Sequence, residues 1–418
     1  MLQLAYVQIA ISKTEGNGWT AMVLLSWTSG LILLVMVGVF WLLPGSSSRS
    51  LWLALSNIAL LLYWYPGQGL LMLGLAMLTF LLGEILSRWG QRRAWLLALA
   101  IIVVSFYLLY TKYFAFLLQI LNQALQALGQ PGRWHWEQVA VPVGISFVTF
   151  RWLHYVIDSY WGKVEQRELI TFLGYSFFWP ILTSGPIERW QDFSRQLGEK
   201  QRWQWNYLWE GLERILLGLF KKLLVAAALA PLASGLSKPG LSAGAYWLAA
   251  HAYAWQLYVD FSGYTDIAVG SSRLFGLRIQ ENFDWPYLRG NISLFWKHWH
   301  MSLTRWFRDY LFIPLGGSRV AFRRILFNTL VVMFVTGIWH GAGWNFIFWG
   351  MLHAGALILW RLYRRYLLPR LPESWPDQYW YRGLAIFITY NFVVLAWIPF
   401  TTNLQQALRV LQIMGGGG

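Results

Sequence analysis

The 418-residue chain contains no cysteine. That excludes a disulfide scaffold, a thiolate metal site and a cysteine acyl-enzyme, and leaves the redox compartment unreadable. Charge is also scarce. Asp, Glu, Lys and Arg make up 12% of the residues, against about a quarter in a soluble globular chain. The chain has no nucleophile elbow, no phosphate-binding P-loop, no paired-histidine zinc motif and no internal repeat. Residues 1–20 lack a basic segment leading into an apolar core, so no secretory signal peptide is expected there. What the chain has instead is apolar sequence, at 57%. At about 20 residues per span, that is enough to cross a bilayer on the order of ten times. A soluble enzyme, a disordered tail and a fibre are excluded, which leaves an integral membrane protein.

The 33 basic residues outnumber the 18 acidic ones. The basic residues sit in short patches between apolar runs, which suits cytoplasmic loops facing anionic lipid and not nucleic acid. Apolar runs cover residues 21–43, 51–65, 70–86 and 94–110. Arg88, Arg92 and Arg93 follow the third run and mark a cytoplasmic side. Counting back from there puts Arg49 inside and the N-terminus outside. Residues 126–136 read as a loop, and 142–161 and 170–183 as apolar segments interrupted by Arg151, His154, Asp158 and Pro180. Such segments are tolerated where they are buried in protein or line a wet cavity. Residues 206–235 start amphipathic and end insertable. Further spans are expected at 241–261, 325–339, 344–367 and 384–400, with Arg361, Arg364 and Arg365 cytoplasmic. The four terminal glycines read as a linker or a truncation point.

Residues 282–317 are too charged to cross lipid, and 292–313 are expected to form one amphipathic helix at the membrane surface or folded into a funnel. In such a helix His298 and His300 would be about 200° apart, too far to bind one metal from one face. His298, Lys297 and Arg305 suit phospholipid head groups. His135, between two tryptophans, suits the membrane interface, while His154, His251 and His353 suit packing. Asp260 and Asp266 are expected to cap a helix after Gly263 or to pair with Arg273 or Arg278. His340 stands apart, in Thr336-Gly-Ile-Trp-His340-Gly-Ala-Gly-Trp344-Asn345 at the end of an uncharged apolar run. A buried imidazole there could take a proton from a hydroxyl near neutral pH. It could equally hydrogen-bond a neighbouring helix through the glycine gap.

Several runs occur in order: Pro142-Val-Gly-Ile-Ser-Phe, Ser184-Gly-Pro-Ile-Glu-Arg189, Tyr258-Val-Asp-Phe-Ser-Gly-Tyr-Thr-Asp266 and Glu281-Asn-Phe. Phe295-Trp-Lys-His-Trp-His300-Met-Ser-Leu-Thr, Trp306-Phe-Arg-Asp309-Tyr and Gly337-Ile-Trp-His340-Gly follow. Together they resemble the membrane-bound O-acyltransferase (MBOAT) family, over residues 142–400. Within it they resemble the bacterial branch of alginate O-acetylation and D-alanyl-teichoic-acid transfer membrane proteins. Ile313-Pro-Leu-Gly-Gly317 looks alginate-type, and His300-Met-Ser-Leu looks as much like the D-alanyl branch. The chain stops soon after its last span, whereas many alginate-type members continue.

The resemblance implies an all-α, polytopic fold, one membrane-embedded domain over residues 1–418. About ten to twelve spanning or re-entrant helices would surround a central funnel or tunnel. It implies an enzyme that moves an acyl group, acetyl foremost, from a thioester to a hydroxyl. The acceptor would be an exported cell-surface polysaccharide or a partner acetyltransferase outside the cytoplasm. The alternatives are D-alanyl transfer to teichoic acid from a carrier protein and, in another class, a lipid-linked saccharide transporter in which His340, Asp260 and Asp266 relay protons. The catalytic positions fall on His340 and His300, with Trp296, Arg308, Asp309, Trp339 and Asn345 binding substrate. No permanently bound cofactor is expected. Acetyl-CoA or an acyl carrier protein would be the co-substrate, and the bacterial inner membrane the location.

Overall fold

A computed structural model describes residues 26–90, 93–132, 134, 141–142, 144–199 and 202–417. The readings of residues 1–20, Arg92 and His135 fall outside them. Every regular element described is helical: α1 (Trp27–Leu42), α2 (Ser46–Trp64), α3 (Pro66–Ile85), α4 (Ala94–Ala127), α5 (Ile145–Tyr160), α6 (Leu169–Ser176), α7 (Trp190–Gly198) and α8 (Trp205–Leu219) come first. A π turn (Phe220–Ala226) leads into α9 (Ala227–Ala233), followed by α10 (Ala243–Leu274), α11 (Ile292–His298), α12 (Met301–Phe307), α13 (Phe322–His340), α14 (Trp344–Leu362), α15 (Tyr379–Thr401) and α16 (Leu404–Met414). Among the described residues, six helical stretches are long and apolar enough to cross a bilayer: Pro66–Trp89, Ala94–Ala127, Trp205–Ser237, Phe322–His340, Trp344–Arg370 and Tyr379–Thr401.

Local chemistry sets many boundaries. The Ser26 hydroxyl accepts from the Ser29 N–H to start α1, and Asn403 accepts from Gln406 to start α16. Pro66 opens α3, where its missing N–H is no loss. The expected span at 94–110 is in fact the first half of a 34-residue helix, because nothing from 111 to 127 breaks it: the run has neither Gly nor Pro. Gly129, at φ 74°, follows its end.

The chain divides into two compact units. The first comprises Gln3–Ile215 and Ile267–Gln280. Its core holds the interrupted apolar segments, and their polar groups are bonded to one another. The Arg151 guanidinium donates to the Tyr175 carbonyl (3.1 Å), and His154 Nε2 lies 2.7 Å from the Tyr175 hydroxyl and accepts from the Trp190 N–H. Tyr175 also donates to the Glu188 carbonyl, and Gln191 donates to Asp158. His154 is therefore a satisfied core histidine. Arg273 pairs with Glu210 (2.6 Å).

The second unit comprises Leu216–Asp266 and Glu281–Gly418. Asp260 and Asp266 neither cap a helix nor meet Arg273 or Arg278. The helix α10 runs straight through them, and they pair with Lys222 (2.5 Å) and Lys221 (2.7 Å) on the π turn. Gly263 makes that approach possible, since a Cβ there would lie 2.8 Å from the Gly218 carbonyl oxygen. The expected single helix over 292–313 is broken. It stops at His298, turns at His300 and restarts at Met301. Backbone bonds to a neighbouring segment hold the break: Asp284 N–H to His298 O, and Met301 N–H to Asn282 O.

Glu188 is 1% exposed, and burial raises its carboxyl to about 7 against the pull of backbone N–H groups from Gln280 and Arg189. A carboxyl raised on folding favours the folded state while protonated. Its contribution is full below the ordinary value of 4.5 and lost as pH rises through about 7. The melting temperature in detergent should therefore fall between about pH 5 and pH 8, and Glu188→Gln should flatten that slope. A variant with the wild-type slope would contradict this.

Candidate active site

The helices α13 and α14 form a hairpin whose backbones touch. A Cβ on Gly337 would lie 2.5 Å from the Phe346 carbonyl oxygen, and one on Gly350 would lie 2.5 Å from that of Met333. Small residues at such crossings let membrane helices pack backbone to backbone. His340 is the last residue of α13 and is 7% exposed. Its ring sits 4.7 Å from Trp339, 4.9 Å from Trp349 and 5.1 Å from Phe400. The glycine gap after it serves packing and not a left-handed turn. Gly341 and Gly343 are extended, at φ −170° and −173°, and a side chain on Gly341 would collide with the Phe346 ring.

His300 occupies the break between α11 and α12 and is 2% exposed. Its φ of 44° is in the left-handed region, which few non-glycine residues adopt, and such strain persists where the surroundings enforce it. Asn282 does the enforcing. It is fully buried, its carbonyl accepts from Met301 and its side-chain oxygen accepts from the Ser302 N–H (3.1 Å). The His300 ring meets Phe261 edge-on at 4.8 Å and Trp339 at 6.2 Å. Burial lowers its pKa to about 3, so the imidazole is neutral near pH 7. Trp339 thus contacts both histidines, and the three rings form one aromatic-lined centre.

The other expected site residues are spread around it. Asn345 donates to the Pro399 carbonyl (3.1 Å), fastening the start of α14 beside Phe400. Trp296 packs against Trp349 (5.8 Å) and His353 (5.1 Å). Arg308, exposed, and Asp309, half-buried, pair with each other at 2.8 Å on the π turn Arg308–Phe312. His298 Nδ1–H donates to the Leu294 carbonyl (2.7 Å) and Nε2 lies 3.5 Å from Asp284, so it pairs within the chain. His251 bonds the Tyr390 hydroxyl (3.0 Å). Among the described residues no cluster of three or more metal-ligating side chains occurs.

Sequence reasoning missed Asn282, Phe261, Trp349 and Phe400 as parts of the centre. Asn282 and Phe261 lie inside motifs already singled out. Trp349 and His353 lie four residues apart on α14, and that spacing puts them on one face.

Residues 58–395 match the profile of the family described as MBOAT, membrane-bound O-acyltransferase family. A probable alginate O-acetylase of Pseudomonas aeruginosa is 34% identical over 92% of the chain and 73% of its own length. A peptidoglycan O-acetyltransferase of Helicobacter pylori is 32% identical over 88% and 73%. A teichoic acid D-alanyltransferase of Streptococcus thermophilus is 32% identical over 63% and 69%.

The hairpin geometry makes a contrast on one helix. Gly350→Leu forces side-chain atoms into the α13 backbone, at a cost of about 1–3 kcal/mol from overpacking, and should lower both melting temperature and acyl transfer. Gly355→Leu, with nothing within 4 Å of its Cβ position, should leave both unchanged. Equal behaviour of the two variants would contradict the close approach.

Proposed function

The chain belongs to the membrane-bound O-acyltransferase family, and with that premise we propose that it transfers an acyl group, acetyl foremost, from a cytoplasmic thioester to a hydroxyl of an exported cell-surface polysaccharide. Acetyl-CoA or an acyl carrier protein is the donor in this reading, and a partner acetyltransferase outside the cytoplasm is an alternative immediate acceptor. The location is the bacterial inner membrane. In this reading the apolar, shorter and interrupted helices together would form about ten to twelve spanning or re-entrant segments around a funnel, of which six are long and apolar enough to span among the described residues.

The observation that carries the reading is His340 at the end of a membrane-length helix, buried among aromatic rings and joined to His300 through Trp339. An imidazole in its neutral form has a ring nitrogen that can accept a proton. In the proposed step one His340 nitrogen takes the proton of the acceptor hydroxyl. The oxygen then bonds to the thioester carbonyl carbon, the carbon–sulfur bond breaks, and the imidazolium returns the proton to the departing thiolate. Because the chain has no cysteine, a covalent intermediate would have to form on oxygen or nitrogen, and direct transfer needs none. His300, with Trp296, shapes the approach of the donor. Arg308 and Asp309, paired on their π turn with Arg308 exposed, suit the cytoplasmic mouth.

D-alanyl transfer to teichoic acid is the second reading, favoured by the His300-Met-Ser-Leu run. Asp260 and Asp266, the acids of the transporter reading, are ion-paired with Lys222 and Lys221, and the family match favours acyl transfer over transport.

Removing a general base costs about 10²–10⁴-fold in rate. Membranes carrying His340→Ala should therefore incorporate about a hundredth of the wild-type acyl label or less, with His300→Ala also impaired. Undiminished incorporation by correctly inserted His340→Ala would refute the assignment.

A further inference from the structure

The face of α14 that carries Trp349 also carries His353, which neither the family motifs nor the proposed mechanism uses. His353 and Trp349 have no exposed surface, and Trp296 is 7% exposed. Their three rings are mutual neighbours: His353 is 5.1 Å from Trp296 and 4.9 Å from Trp349, and the two indoles are 5.8 Å apart. Phe295, Phe392 and Trp397 close the group, with Phe295 lying nearly parallel to the imidazole. Both ring nitrogens of His353 and the Nε1 atoms of Trp296 and Trp349 are buried without a protein hydrogen-bond partner among the described residues.

Unmet polar atoms in a buried position are costly. Phenylalanine would fill the same space at position 353 without that cost, so packing does not account for the imidazole. A neutral histidine offers one N–H and one acceptor nitrogen, and each indole offers one N–H. The cluster thus holds three donors and one acceptor inside an aromatic wall. The Trp349 ring that forms one side of it is also in contact with His340.

We propose that His353, Trp296 and Trp349 form an oxygen-binding subsite next to the His340 centre. Its occupant is a small oxygen acceptor that takes the indole and imidazole N–H groups. That oxygen comes from one of two sources, the carbonyl of the acyl thioester or an ordered water that supports His340. The inference rests on the acyl-transfer reading of His340. It adds that the acyl group is oriented, directly or through that water, from the α14 face.

The test uses a strain lacking its own copy of the gene, complemented with wild type, His353→Phe, His353→Gln or His340→Ala. Esters released from the surface polymer by mild base are measured per amount of membrane-inserted protein, and each variant is melted in detergent. Losing hydrogen bonds made to the reacting group should cut ester content by about tenfold or more in His353→Phe. Its melting temperature should not fall, because the substitution removes unmet polar atoms, and His353→Gln should recover part of the ester content. Wild-type ester content in His353→Phe, or a loss that follows lowered melting, overturns the subsite. Wild-type content in His340→Ala would instead overturn the acyl-transfer reading itself. Electron cryomicroscopy maps with and without a non-hydrolysable acetyl thioester analogue separate the sources. Density bonded to His353 in both maps identifies water, density only with the analogue identifies the carbonyl, and density in neither overturns the proposal.

Discussion

The backbone contact between α13 and α14 sets the geometry of the histidine centre. Membrane helices gain little from burying apolar side chains against each other, because lipid is equally apolar, so close packing must supply the adhesion. Gly337 and Gly350 supply it by removing the side chains that would hold the helices apart. The last turn of α13 then lies against the first turns of α14. His340 is thereby surrounded by Trp349 from the facing helix and Phe400 from α15, and Asn345 ties the hairpin to α15 through the Pro399 carbonyl. Widening the hairpin by one side chain would displace the imidazole from its aromatic neighbours.

The second histidine is held by different means. His300 sits in a left-handed backbone conformation between two seven-residue helices. Asn282 supports that break with two hydrogen bonds, and α10 supports it with the Phe261 ring. The Lys221 and Lys222 ion pairs fix α10 in turn, on both sides of Gly263. The Asp-Phe-Ser-Gly-Tyr-Thr-Asp run therefore has a physical meaning: its acids anchor the helix, its glycine admits the neighbouring segment, and its phenylalanine faces the histidine.

The membrane class, the helical fold and the family were legible from composition and ordered motifs, and His340 stood out as an ionisable group beside glycines in an apolar run. What escaped sequence reasoning depended on contacts between distant segments. The partners of Asp260 and Asp266 sit about forty residues earlier, on a π turn that no local pattern announces. The amphipathic pattern of 292–313 fits one helix, but the Asn282 segment stabilises a break that intrinsic preference would not select. Gly341 and Gly343 were legible as glycines that matter but not as extended ones, because the Phe346 ring that needs the space lies on the far side of the turn. His353 reads as a packing residue until the rings around it are seen to offer it no hydrogen bond.

The most direct test is a structure of the protein in lipid with a thioester donor analogue and an acceptor hydroxyl bound. The account predicts the acceptor oxygen within hydrogen-bonding distance of a His340 ring nitrogen and the thioester carbonyl carbon beside that oxygen. Both ligands bound away from His340, with its ring still enclosed by Trp339, Trp349 and Phe400, would contradict it.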